Sequence, residues 1–186
     1  MLIEHLLYST ALAIFIGMIH YRFFCRDYSW IIIVSSYVPD LDLISDSLLK
    51  KMGIEVLISG HQIIHGNFHN IAILALFAIY MAFLLHPFGF KFVDSIIFAA
   101  IGFGAHLFED ALVSREGYAF FWPLVPQRSG IGLFNYTPDI YGFADKEVLI
   151  IGLILLVFSA ILRTACEGPR WVANYLPMSG MVSSLN

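Results

Sequence analysis

The chain has 186 residues, 59% of them hydrophobic and 13% charged, with a mean hydropathy of +0.80; soluble domains run at about 45–50% and about 25%. That balance excludes a water-soluble globular fold and intrinsic disorder, and 10 Lys plus Arg against 14 Asp plus Glu exclude a basic nucleic-acid binder. The expectation is one domain, 1–186, an all-α polytopic membrane bundle of about five apolar helices with an interfacial metal site.

The opening segment MLIEHLLYSTALAIFIG carries Glu4 and no early Lys or Arg, so it reads as a retained helix rather than a signal peptide. Apolar stretches then run Leu6–Ile19, Tyr28–Val38, Ile71–Leu85, Val93–Phe108 and Val148–Leu162, each long and free of internal proline, as helices require. Several fall short of the roughly 20 residues that cross about 30 Å of hydrocarbon. Tyr28–Val38 is the weakest span and a candidate re-entrant segment. Cys25 and Cys166 form no ligand-like cluster, and a disulfide framework is not expected.

Long polar connections, Pro39–Asn70 and Asp110–Glu147, alternate with short ones, Tyr21–Asp27 and His86–Lys91. If all five stretches cross, the N-terminus and both long connections share one face. The other face carries Arg22, Arg26, Lys91, Arg163 and Arg170 in short segments, which the positive-inside rule assigns to the cytoplasm. The first face would then point outward.

Candidate ligands gather on that face. His106 and Asp110 stand four apart and share one side of a helix. His61, His65 and His69 repeat every four residues in GHQIIHGNFHN, with Gly66 and Asn67 placed to break a helix and His61 the expected bystander. Asp40 and Asp42 follow the second stretch in PDLD, although Asp is equally at home as a helix cap. His5 lies at the mouth of the first stretch. His20 and His86 belong to the opposite face and read as interfacial histidines. His5, Asp40, Asp42, His65, His69, His106 and Asp110 together exceed the needs of one tetrahedral ion, so the expected cofactor is a divalent metal, zinc foremost, with two or more ions accommodated.

From His5 to Arg128 the chain resembles the YdjM-like group of membrane-bound metal-dependent hydrolases, which is thought to be related to the zinc phospholipase C and P1 nuclease superfamily. The resemblance rests on the early His before LLYS, the PDLD element, the His-rich turn leading into a helix, and AHLFEDAL followed by GYAFFWPLVPQR. It implies metal-assisted hydrolysis with the seven residues above as ligands, and it assigns nothing to Glu109. Phe121, Trp122 and Pro123 would form a rim at the membrane interface. The chain departs from the family pattern His-Arg-Gly-x-Thr-His at His65 to His69, lacking the Arg and Thr, and Arg115 or Arg128 are the cations available to replace that Arg.

The leading expectation is a membrane-embedded hydrolase of a phosphoester or phospholipid-like amphiphile reached from the bilayer, with Asp42 or Asp110 holding or deprotonating the attacking water. A divalent-metal transporter and a non-catalytic scaffold with a structural metal are the alternatives. The segment Ser129–Gly142 reads as a surface loop or a lid.

Overall fold

The computed structural model describes residues 2–42, 48, 51–53, 57–58, 61–62, 66–113, 117–133 and 146–175. His65, Arg115 and residues 134–142 of the expected loop or lid lie outside them. The architecture is helical: α1 Leu2–Phe24, α2 Trp30–Ser35, α3 Ile71–Leu85, α4 Phe92–Val113 and α5 Lys146–Glu167. A two-residue antiparallel ladder joins Leu57–Ile58 (β1) to His61–Gln62 (β2).

Among the described residues four segments are long and apolar enough to cross a bilayer: Ile3–Phe24, Ile71–Phe88, Phe92–Val113 and Lys146–Glu167. Large side chains such as Leu76, Phe83, Leu153 and Ile161 stand exposed on α3 and α5, as expected of surfaces solvated by lipid tails. Inside, Ala13, Ile31, Ile32, Ala78, Phe98 and Ala99 form one buried cluster, and Phe103, Leu107 and Phe120 a second.

The fifth expected span is different. Helix α2 has 6 residues, which at about 1.5 Å per residue is near 9 Å. It starts inside the bundle rather than at its edge, because the Asp27 carboxylate accepts from the Ser29 N–H and hydroxyl and Ser29 sits against Gly17, a full two turns short of the end of α1. The helix ends before Pro39, which disfavours helical backbone in its neighbour. A series of tight turns then carries the chain on, with Val38 N–H bonded to Ser35 and Leu41 N–H to Val38. Gly102 makes room for this segment: a Cβ there would collide with the backbone of Ile32.

The helix ends also lie farther out than the apolar runs suggest. α1 takes in Glu4 and His5, and α4 continues past Asp110 to Val113. Polar side chains did not stop these helices, since other elements supply partners for them. Ile131 and Gly132 N–H groups bond the Ala111 carbonyl and Leu133 N–H bonds that of Leu112, satisfying the open carbonyls at the end of α4.

Directions follow from contacts. Tyr8 bonds Val148 and Arg163 reaches Ile14, so α1 and α5 run parallel. His5 stacks on His106 while His20 meets Phe98, so α4 runs against α1. Phe77 packs on Phe103 and Phe83 on Phe92, so α3 runs against α4. One end of the bundle therefore receives the start of α1, the turn after α2, the start of α3, the end of α4 and the start of α5.

Candidate metal centre

Four chain segments meet at that end, each fixed by local chemistry. The third begins at Gly66, whose φ of +101° belongs to the left-handed region and whose missing Cβ leaves room for the ring of Tyr118. Gly66 and Phe68 donate their backbone N–H groups to Asp42 Oδ2 at 2.8 and 3.3 Å. Asn70 then caps α3, its side chain accepting from Ala72 and Ile73 at 3.1 and 3.0 Å. His69 is held between turn and cap, fully buried, with Tyr118 against its ring at a centroid distance of 4.3 Å.

The donors converge closely. His69 Nε2 lies 3.2 Å from His106 Nε2 and 3.2 Å from Asp110 Oδ2. His106 Nε2 is 3.4 Å from the same oxygen. Asp40 Oδ1 stands 3.7 Å from His69 Nε2 and 3.6 Å from His106 Nε2. A tetrahedral ion with bonds of about 2.0–2.2 Å separates its ligand atoms by about 3.3–3.6 Å. Those separations are close to the edges of such a tetrahedron, the donors form two overlapping triads, His69–His106–Asp110 and His5–Asp40–His106, and imidazoles with carboxylates are a donor set that suits zinc and its neighbours. The chain's own residues fit a divalent cation.

His5 extends the cluster. Its ring stacks on His106 with centroids 4.1 Å apart, and its Nε2 lies 3.6 Å from Asp110 Oδ1, so Asp110 faces His69 and His106 with one oxygen and His5 with the other. Its Nδ1 is 2.6 Å from Glu109 Oε2. Asp42 is placed apart from the other carboxylates, fully buried on the Nδ1 side of His69 at 3.4 Å. It holds the turn and stands beside the imidazole, whereas the sequence reading gave it a ligand and catalytic role.

Charge balance follows from this geometry. Burial alone lowers the pKa of His69, but the close carboxylates of Asp110, Asp40 and Asp42 outweigh it and push the value up to about 10. Burial acts to raise Asp40, yet the contact with His69 and the nearby His106 and His5 bring it below the usual range. Burial, reinforced by Asp110, Asp40 and Asp42, raises Tyr118. The pocket attracts positive charge, and without a metal a proton on His69 supplies it.

Sequence reasoning passed over two residues. Glu109 holds His5, a role that its place beside Asp110 did not disclose, because its partner is 104 residues away. Tyr118 carries no metal-binding signature and is identified only by its packing on His69. Arg128 bonds the Gly117 carbonyl at 2.9 and 3.1 Å and lies 5.9 Å from the Tyr118 ring, so it borders the site. Phe121 and Trp122 are about half exposed beside the start of α3, where Ile71 N–H bonds Phe120. At the far end His20 bonds the Arg26 carbonyl and His86 faces that of Phe90, away from the cluster.

No curated protein and no solved structure matches the chain. A family model, YdjM inner membrane protein, matches residues 1–178. With four apolar helices long enough to cross a bilayer and that match over nearly its whole length, the chain is a multi-pass membrane protein and belongs to the YdjM inner membrane protein family.

Proposed function

We propose that this chain is a membrane-embedded, metal-dependent hydrolase of a phosphoester, the substrate being a phospholipid-like amphiphile drawn from the bilayer. The observation that carries the reading is the convergence of Asp110 Oδ2 and Asp40 Oδ1 on His69 Nε2 and His106 Nε2, each within 3.7 Å. These four residues would hold a divalent cation, zinc foremost, and His5 with Asp110 Oδ1 offers part of a second site. When bound, such a cation supplies Lewis acidity to a water and to a phosphoryl oxygen at neutral pH.

The remaining work falls to the protein. Asp110 presents one oxygen to His69 and His106 and the other to His5, so it would bridge the two positions. Asp42 fixes the orientation of His69, as an outer carboxylate does for a metal-binding imidazole. Glu109 does the same for His5. Arg128 is the nearest fixed cation to offer a phosphate oxygen a partner at the rim.

The distribution of ionisable groups favours hydrolysis over transport. Between His5 and His20 on α1, along all of α3, and between Asp94 and His106 on α4, the sequence has no ionisable Asp, Glu, Lys, Arg or His. A conduit for a cation needs ligands along that path.

The test is turnover of phosphatidylethanolamine and phosphatidylglycerol by detergent-purified protein, before and after chelation and with zinc or manganese restored. Metal-dependent phosphate-ester cleavage that disappears in Asp110→Asn is expected. Stoichiometric metal with no cleavage of either lipid contradicts the hydrolytic reading. Its outward orientation is tested after Cys25 and Cys166, both exposed, are replaced: an impermeant maleimide added outside should label Ser129→Cys and spare Lys91→Cys. The reverse pattern overturns the orientation.

A further inference from the structure

A cavity of about 620 Å³ lies between α1, α4 and α5. Its walls are apolar, with Leu12, Phe15, Phe108, Leu155 and Phe158 among them, and its polar side chains sit at the ends. Tyr8 and Glu109 line the end near the metal centre, and Ser159 marks the deep end. Glu109 bonds His5 Nδ1, and His5 Nε2 faces Asp110. One imidazole ring therefore separates the mouth of an apolar slot from the cluster of ligands.

The dimensions select the occupant. On α5 the lining runs from Val148 to Ser159, which at about 1.5 Å per residue gives a depth of about 16 Å. Half the hydrocarbon core of a bilayer is about 15 Å, the reach of one lipid chain in one leaflet. The slot suits a group as long as one lipid chain, apolar along its length, and attached to a polar group at the end facing His5.

We infer that this slot seats one hydrocarbon chain of a membrane lipid whose phosphate headgroup lies at the His5, Asp40, His69, His106 and Asp110 cluster. As a statement about substrate it rests on the hydrolytic reading; as a statement about lipid binding it stands separately. The chain enters sideways between α4 and α5, whose facing walls do not pack on each other as α1 and α5 do, and the mouth aligns the first ester linkages with the ligands. Leu133, docked on the end of α4 through Leu112, closes the slot above.

The experiment uses full-length protein in nanodiscs of phosphatidylethanolamine and phosphatidylglycerol, doped with phosphatidylethanolamine carrying a diazirine at the end of one chain. After illumination, crosslinks are mapped by peptide mass spectrometry on chelated protein, so that turnover plays no part. Adducts on Phe15, Leu155 and Phe158 should exceed severalfold those on Leu76, Ile79 and Phe83 of the lipid-facing side of α3. Leu155→Trp, at a partly exposed position, should remove that excess while leaving α3 labelling unchanged, and Leu155→Ala should preserve it. Equal labelling of the two regions, an excess unaffected by Leu155→Trp, or adducts between two protein chains through α5 overturns the assignment. Slot labelling without metal-dependent turnover keeps the lipid seat and removes the hydrolase; turnover without slot labelling does the opposite.

Discussion

The two ends of the bundle handle buried charge in opposite ways. At the far end Arg163, fully buried, bonds Asp27 at 2.6 Å and Glu167 at 3.0 Å. The Tyr175 hydroxyl joins both Arg163 and Ser29, and the guanidinium lies over Trp171. A permanent cation is built into that cluster. At the other end Asp40, Glu109 and Asp110 are paired with histidines, and no Lys or Arg bridges those three among the described residues. The first arrangement is complete in the polypeptide. The second is built from carboxylates and imidazoles, and this contrast distinguishes a structural clasp from the proposed metal site.

Four substitutions or conditions break or sharpen that contrast. Arg163→Met has the largest expected effect, about 3–5 kcal/mol of stability, because it leaves Asp27 buried without its partner. Thermal unfolding in detergent should show the loss equally with zinc and with chelator; a loss confined to zinc-loaded protein would erase the distinction between the two ends. Asp110→Asn should act in the opposite manner. Zinc at 1,000 times its Kd adds about 4 kcal/mol to a protein that binds it only when folded, and this variant should abolish that increment. An undiminished zinc-induced shift in Tm would remove Asp110 from the site.

Asp42→Asn probes the brace behind His69. Outer carboxylates of this kind are worth about 10–100-fold in metal affinity, so competition titration should show weaker binding with an unchanged number of ions. Loss of the ion altogether would make Asp42 a direct ligand, as its sequence context first suggested. The last effect concerns protons. Because the folded pKa of His69 is raised to about 10, its protonated form stabilises the metal-free protein fully below about pH 6.5, the unfolded value. That contribution fades as pH climbs to about 10. A cation must displace the same proton, so zinc affinity should rise with pH by up to about tenfold per unit over this window. Calorimetry in buffers of different ionisation enthalpy should find a proton released at pH 7, and no release would show that His69 is outside the coordination sphere.

The helices were legible because apolar length is a direct consequence of membrane solvation. Ile71–Leu85 emerged with the boundaries its composition indicates, since Asn70 caps one end and Pro87 follows the other. α1 and α4 extend beyond their apolar runs because His5 meets Glu109 and Asp110 across the bundle, information that a local hydropathy pattern does not carry. The second stretch has the composition of a span but begins two turns inside the bundle, pulled there by Asp27, Ser29 and Arg163, whose contacts join residues more than a hundred positions apart. At the site, His5, Asp40, His69, His106 and Asp110 were all singled out by residue type and shared face. Asp42 was singled out too, yet its distinct position depends on two backbone N–H groups of a glycine turn, which residue type alone does not reveal.

X-ray absorption at the zinc edge, on protein stripped and reloaded with one equivalent, tests the central claim most directly. The account predicts a four-coordinate ion with two imidazole nitrogens and two carboxylate oxygens at about 2.0–2.2 Å, the imidazole signal falling by half in His106→Gln. A spectrum with sulfur ligands, or one that His106→Gln leaves unchanged, would contradict it.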